Sequence, residues 1–270
     1  MSRAANTVRA VMALLSAALA PALAHAQAAP NLAKFQVEDR KSGYFYLGAQ
    51  TRALQDDDFL NPGMFAVDQG KAIWNKIDGG QGQSCASCHG NAEQTMKGVA
   101  AKFPRYDAAK GSIINLELFV NRERTQRMGA APLEYESEAL LNLATYITYQ
   151  SRGIARDPVV TGPAAPFFAQ GKEFFFTRRG QLDLSCAQCH DDRAGGKLRG
   201  DTISQGQVNG FPFYRLIWRG MGSTHRMFQW CNTSMRAEPF PLGAEEYLNL
   251  ELYVAWRGRG LLIETPAVRK

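Results

Sequence analysis

Apolar residues recur at helical spacing in four segments of the chain. The segments cover residues 68–77, 137–149, 166–176 and 243–256. Apolar side chains at positions i, i+3 and i+4 line one face of a helix, and that face packs into a core. Few segments alternate apolar and polar residues as a strand does. We therefore predict an all-α fold.

The first residues follow another pattern. A basic start leads into an apolar run over residues 11–23, which Pro21 interrupts, and the segment closes with Ala-His-Ala at 24–26. This order is typical of a secretory signal peptide, and the run is shorter than the ~20 residues that a membrane-spanning helix needs. We predict that residues 1–26 are removed and that the mature chain is periplasmic, with no membrane span.

The mature chain repeats itself, which indicates a duplication. Pairs at offsets of 101 and 107 residues include Gly70 with Gly171, Ser84 with Ser185, Leu141-Asn142-Leu143 with Leu248-Asn249-Leu250, and Arg152-Gly153 with Arg259-Gly260. We predict an extension over 27–60, a first domain over 61–155, a proline-rich linker over 156–166 and a second domain over 167–270.

Four of the five cysteines stand in two C-x-x-C-H motifs. These are Cys85, Cys88 and His89 in the first half, and Cys186, Cys189 and His190 in the second. Two thiols at this spacing reach the two vinyl groups of one porphyrin, and the adjacent histidine binds the iron. A redox-active dithiol or half of a zinc site would not need a histidine after both pairs. We predict two covalently bound haem c groups, with His89 and His190 as iron ligands, so that both repeated domains are cytochrome c-like.

The fifth cysteine, Cys231, has no partner in these motifs and lies 41 residues after His190. We predict that it binds the second haem iron opposite His190; the alternative is a buried, inert thiol. Arg226 and Arg236 bracket it in sequence. A guanidinium can hold a small oxyanion through two hydrogen bonds, or can pair with a haem propionate.

The overall charge adds little to this interpretation. The formal net charge is +6 and the sequence pI is about 9.1. Such a balance suits an anionic partner or substrate, but the basic residues are scattered and form no long block. We predict no nucleic-acid partner.

Three segments of the second half resemble the SoxA family of bacterial sulfur oxidation. They read G-M-G-S-T-H-R at 220–226, C-N-T-S-M-R-A-E-P at 231–239 and L-N-L-E-L-Y-V-A-W-R-G-R-G at 248–260. The resemblance implies a heterodimer with a small SoxX-type cytochrome c. It also implies oxidative conjugation of thiosulfate to a cysteine of a SoxYZ-type carrier, with two electrons passing to haem. Cys231 falls on the family's catalytic, iron-binding cysteine, which implies that the second domain, 167–270, is the catalytic one.

The chain departs from the family in its first half, where the family has a further thiolate ligand. The gapless 107-residue offset places Arg124 opposite Cys231, with Glu123 beside it. We predict Met128 as the sixth ligand of the first haem, and Met96, Glu123 or an open position remain alternatives.

A second departure concerns the anion. The family has an arginine four residues before its active cysteine, whereas this chain has Met227 there and Arg226 beside it. Either Arg226 takes over the contact or the substrate preference has changed.

Two other functions fit the same motifs. A dihaem electron carrier would use Cys231 only as a structural ligand, and a thiosulfate dehydrogenase would form tetrathionate without a carrier protein. A dihaem peroxidase fits less well, because a ligand at Cys231 would obstruct the open iron that it needs.

Overall fold

The computed structural model describes residues 31–270, and the predicted signal peptide lies outside them. Residues Leu32–Lys270 form one compact unit. How this unit divides into the predicted extension, domains and linker stays a prediction. No helix within the described range combines the length and apolarity that a membrane crossing requires.

Ten helices and nine short strands run through the described part of the chain, which is largely helical, as predicted. The helices are α1 (Ala49–Asp56), α2 (Met64–Asn75), α3 (Cys85–His89), α4 (Ala92–Thr95), α5 (Leu116–Arg127), α6 (Glu138–Tyr149), α7 (Ala165–Phe176), α8 (Cys186–His190), α9 (Thr224–Ser234) and α10 (Glu245–Arg257). The strands are β1 (Gln36–Val37), β2 (Arg40–Lys41), β3 (Arg105–Asp107), β4 (Ser112–Ile114), β5 (Lys197–Leu198), β6 (Asp201–Thr202), β7 (Phe213–Arg215), β8 (Gly220–Gly222) and β9 (Ala267–Arg269).

The strands form small antiparallel pairs, β1 with β2, β3 with β4, β5 with β6 and β7 with β8. One strand adds to the last pair: β9 runs parallel to β7, with Phe213 opposite Ala267 and Arg215 opposite Arg269. This pairing fixes the end of the chain against the strand that leads into β8 and α9.

The duplication is visible in the order of elements. The series α2, α3, β3, β4, α5 and α6 recurs as α7, α8, β7, β8, α9 and α10. Both series contain a cis proline directly before the strand pair, at Phe103–Pro104 and Phe211–Pro212. Both also build a hydrophobic cluster, one around Trp74 and Leu143 and the other around Phe175 and Leu250. Each half thus frames its attachment helix in the same way.

In each half, the first long helix crosses the closing helix at a glycine. A Cβ atom added to Gly70 on α2 would lie 2.1 Å from the Asn142 carbonyl oxygen on α6. A Cβ atom on Gly171 of α7 would lie 1.9 Å from the Asn249 carbonyl oxygen on α10. Only a residue without a Cβ atom allows the two backbones this close.

The helix caps show which residue of the first half corresponds to Cys231, and they correct the gapless comparison. Asn115 caps α5 and Ser223 caps α9 through their side chains, and these caps are 108 residues apart. Helix α5 has 12 residues and α9 has 11, so the offset falls to 107 only near the ends of the helices. Counted from the caps, Glu123 and not Arg124 occupies the position of Cys231. A gapless comparison misses this because the single deletion lies inside a helix.

Candidate active site

The two attachment motifs form short helices, each with a serine at its N-cap position. Ser84 caps α3 in a reciprocal capping box with Ser87, and before α8 the Ser185 N–H donates to the side-chain oxygen of Gln188 at 2.8 Å. These hydrogen bonds satisfy free N–H groups at the start of each helix and end the preceding loop one residue before the first thiol. All five cysteines lie in the described part of the chain and are unpaired thiols. The four motif thiols are thus free to form thioethers.

His190 is oriented as an iron ligand. Its Nδ1 lies 2.7 Å from the Ser204 carbonyl oxygen, and Nδ1–H donates to that oxygen. This leaves the Nε2 lone pair available for a metal. Gly206, at φ +74, packs so closely that a Cβ atom there would lie 3.0 Å from the imidazole Cγ. Burial lowers the pKa of His190, which favours the neutral imidazole that a metal requires. A haem c group therefore fits the second attachment site.

His89 stands at the corresponding place in the first half. It is exposed, and its ring centroid lies 5.7 Å from that of Trp74. The Trp74 indole N–H donates to the carbonyl oxygen of Gly90 at 3.0 Å, which ties α2 to the end of the attachment helix. These contacts hold the residues next to His89 in place.

The candidate sixth ligands of the first haem occupy different places. Met96 belongs to the hydrophobic cluster of the first half. Met128 is buried at the end of α5, and its carbonyl oxygen accepts from the Gln81 N–H at 3.1 Å. The Met235 carbonyl oxygen accepts from the Leu182 N–H in the same way. Met128 thus repeats a buried methionine that the second half also has, and its role as a ligand stays a prediction.

Cys231 lies on α9 close to the second attachment motif. Its thiol is near enough for electrostatic interaction with those of Cys186 and Cys189. Burial raises the pKa of Cys231 to about 11 and that of Cys186 to about 12. The charge of Arg215 acts in the opposite direction on Cys231. Cys231 thus lies near the second attachment motif, and its role as an iron ligand stays a prediction.

The two predicted arginines lie toward the ends of α9. Arg226 stacks over Trp218 at 4.3 Å, and its Nη1 lies 3.8 Å from a carboxylate oxygen of Glu136. Arg236 is exposed on the turn after the helix, where its carbonyl oxygen accepts from the Gln181 N–H at 3.2 Å. The arginine whose charge acts on Cys231 is Arg215. Sequence reasoning missed it.

Glu136 ties the first half to the start of α9. One of its carboxylate oxygens accepts from the Ser223 backbone N–H at 3.1 Å, and the other accepts from the Ser223 hydroxyl. A carboxylate at the N-terminus of a helix also interacts favourably with the helix dipole. This contact positions the helix that carries Cys231.

A buried acidic group lies between the two halves. Glu117 on α5 is buried beside Glu251 on α10, and burial together with the charge of Glu251 raises the pKa of Glu117 to about 8. The His225 Nε2 lies 3.1 Å from a Glu251 oxygen, while its Nδ1 accepts from the Gly243 N–H at 3.0 Å. The imidazole proton is therefore on Nε2, facing Glu251.

Comparison with known proteins decides the family. The SoxA/TsdA cytochrome c domain matches residues 69–155. The L-cysteine S-thiosulfotransferase subunit SoxA of Paracoccus pantotrophus is 45% identical over 228 residues, which cover 84% of this chain and 78% of that protein. The chain belongs to the SoxA family. The SoxA of Pseudaminobacter salicylatoxidans is similarly related, at 44% identity over 230 residues covering 85% of this chain and 80% of the relative.

A solved structure agrees with this membership. The crystal structure of SoxXA from P. pantotrophus matches with a TM-score of 0.83 and 44% identity, covering 86% of this chain and 87% of that chain. The predicted SoxA resemblance and the cytochrome c-like fold are confirmed. Haem c is the cofactor of this SoxA-family chain, as its cytochrome c domain shows.

Proposed function

We propose that this chain is the catalytic subunit of an L-cysteine S-thiosulfotransferase with Cys231 at its active centre. The substrate is thiosulfate and the acceptor is a cysteine of a SoxYZ-type carrier protein. The carrier thiol loses its proton, a bond forms between its sulfur and the outer sulfur of thiosulfate, and two electrons leave. The product is a cysteine S-thiosulfonate.

The observation that carries the proposal is the position of Cys231. It is the one cysteine outside the attachment motifs, and on α9 its thiol is near enough to those of Cys186 and Cys189 for electrostatic interaction. Cys231 would be a ligand to the haem held by the second motif and would meet the sulfur substrate there. The relatives at 44–45% identity carry the thiosulfotransferase name.

Two haem c groups complete the proposed enzyme. Their thioethers would involve the thiols of both attachment motifs, and His89 and His190 would bind the two irons. Bound haem supplies one-electron acceptance, which the two-electron joining of sulfurs needs. The electrons then pass to a SoxX-type cytochrome c, the partner seen beside SoxA in the matching crystal structure. We place this heterodimer in the periplasm.

A Cys231→Ser variant tests the proposal. The haem-loaded variant, in complex with its SoxX-type partner, is incubated with thiosulfate, the carrier and an electron acceptor, and the carrier is weighed by mass spectrometry. We expect no conjugate, while intact mass still shows two attached haems. Thr233→Ser, a similarly small change on an exposed position of α9, serves as the matched control and should conjugate normally.

Two results would contradict the proposal. Conjugation at the parental rate by Cys231→Ser would remove the sulfur from the mechanism. Formation of tetrathionate by the parent chain without carrier, and no conjugate with it, would assign a thiosulfate dehydrogenase instead.

A further inference from the structure

An ion pair of the first half is replaced by a different pair of residues at the corresponding positions of the second half. On β3, Asp107 accepts a hydrogen bond from Arg122 on α5. The residues 108 positions later are Arg215 on β7 and Trp230 on α9, and the Arg215 guanidinium lies 4.9 Å from the Trp230 ring centroid. A pair without net charge has become a cation–π pair with one positive charge.

The positive charge of Arg215 is only partly neutralised. Its side chain is 9% exposed, and its Nη1 donates to the sulfur of Met227 at 3.2 Å. A thioether is a weak acceptor. Its Nη2 lies 3.7 Å from a carboxylate oxygen of Asp201, which is 40% exposed and also lies 3.8 Å from the Lys270 ammonium. A buried guanidinium with such contacts is ready to bind a stronger acceptor.

The guanidinium is held rigidly on the side of α9 that carries Cys231. Met227, its contact, lies four residues before Cys231, so both side chains share one face of the helix. Trp218 stacks at 5.0 Å and Trp230 at 4.9 Å, while the Nε–H donates to the Lys270 carbonyl oxygen at 2.9 Å. Fixed in this way, the charge acts on the Cys231 thiol.

Arg226 is less suited to that role. Its side chain is 38% exposed, and the carboxylate of Glu136 lies 3.8 Å from it. Its Nη1 also donates to the Met221 carbonyl oxygen. Arg215 also has a carboxylate and a carbonyl nearby, so the two arginines differ in burial and in position: Arg215 is 9% exposed, and the charge that acts on Cys231 is that of Arg215.

We propose that Arg215 binds the sulfonate oxygens of thiosulfate and so directs its outer sulfur toward Cys231. The planar guanidinium offers two parallel N–H groups to two oxygens, in place of its weak contact with Met227. The inference rests on the proposed function, since it assigns the anion-binding residue of the same site. Arg215 does not take part in bond formation; it sets the affinity for the anion.

The test compares Arg215→Gln and Arg215→Lys with the parent chain in the haem-loaded complex. We expect the KM for thiosulfate to rise about tenfold or more in Arg215→Gln, with kcat within about twofold of the parent. The KM for the carrier should not change. Arg122→Gln removes the guanidinium of the corresponding pair in the first half and should leave both KM values unaltered.

Arg215→Lys keeps the charge but loses the fork of parallel donors, so its KM for thiosulfate should lie between those of the parent and Arg215→Gln. This variant carries the test if Arg215→Gln does not fold. An unchanged KM in Arg215→Lys would overturn the inference. If the KM of Arg215→Lys for thiosulfate is unchanged and the absorption spectrum of the second haem is altered, the inference is also wrong, because Arg215 would then pair with a haem propionate.

Failure of the proposed function gives a different pattern. If Cys231→Ser cannot conjugate thiosulfate and Arg215→Lys has the parental KM, the inference alone is wrong. If Cys231→Ser conjugates at the parental rate, the proposed function is wrong, whatever the KM of the Arg215 variants.

Discussion

Gly171→Ala should strongly destabilise the second half, because the added methyl group meets a backbone. Its Cβ atom would lie 1.9 Å from the Asn249 carbonyl oxygen, whereas ordinary contacts begin at 3.4 Å. Helices α7 and α10 would have to separate by about 1.5 Å along a buried interface. Overpacking costs typically 1–3 kcal/mol, and an obstacle that cannot rotate away favours the upper end, about 3 kcal/mol.

The expected loss is measurable by thermal unfolding of the haem-loaded chain, followed by circular dichroism. At ~2–4 °C per kcal/mol for a chain of this size, a loss of about 3 kcal/mol lowers Tm by about 6–12 °C. Gly80→Ala is the matched control, because a Cβ atom there meets nothing within 4 Å. Gly70→Ala, at the corresponding crossing of α2 and α6, should cost a similar amount.

A Gly171→Ala variant that melts within about 2 °C of the parent would refute this reasoning. It would show that the two helices can part at little cost, and that the glycine is not what fixes their distance. A large loss in the Gly80→Ala control would equally show that the collision is not the cause.

Two further predictions concern buried groups. Glu117→Gln should flatten the pH dependence of stability. Because the pKa of Glu117 is raised, the folded chain keeps a proton that the unfolded chain releases. The contribution of Glu117 to the free energy of unfolding is therefore complete below its ordinary pKa of 4.5, and it is lost as the pH rises toward about 8. Urea midpoints across that range should fall for the parent and fall less for the variant. Gly206→Ala, at φ +74 and against the His190 ring, should alter the absorption spectrum of the haem proposed at the second motif, and an unchanged spectrum would show that Gly206 does not position the imidazole.

The helices that pack into the core could be predicted closely from the sequence. The predicted segments 68–77, 137–149, 166–176 and 243–256 correspond to α2 (Met64–Asn75), α6 (Glu138–Tyr149), α7 (Ala165–Phe176) and α10 (Glu245–Arg257). Each carries the apolar face that the fold buries. The pairing of β9 with β7 could not be predicted in this way, because three-residue strands leave no recognisable period and the partners are distant in sequence.

In the site too, residues at fixed local spacing could be predicted, and residues contributed by distant parts of the sequence could not. The attachment motifs were recognisable because haem chemistry requires the thiols and the imidazole at fixed local spacing. Arg215 and Glu136 were missed because they reach α9 from other elements of the fold. One signal for Arg215 was present: at an offset of 108, the strand position that holds Asp107 in the first half holds an arginine in the second.

The same offset shows how the two halves differ at the position of the proposed active cysteine. At the position of Cys231, the first half has Glu123, whose carboxylate lies 3.4 Å from Arg122 and 3.8 Å from Arg127. The first half thus has an acidic group between two arginines, whereas the second half has a thiol on which the charge of Arg215 acts, and Arg215 shares its carboxylate partner, Asp201, with Lys270. An anionic substrate is attracted by uncompensated positive charge and gains little from a charge that is already paired. If Arg215 binds the anion as proposed, anion binding, the unpaired thiol and the proposed second haem all lie in the second half.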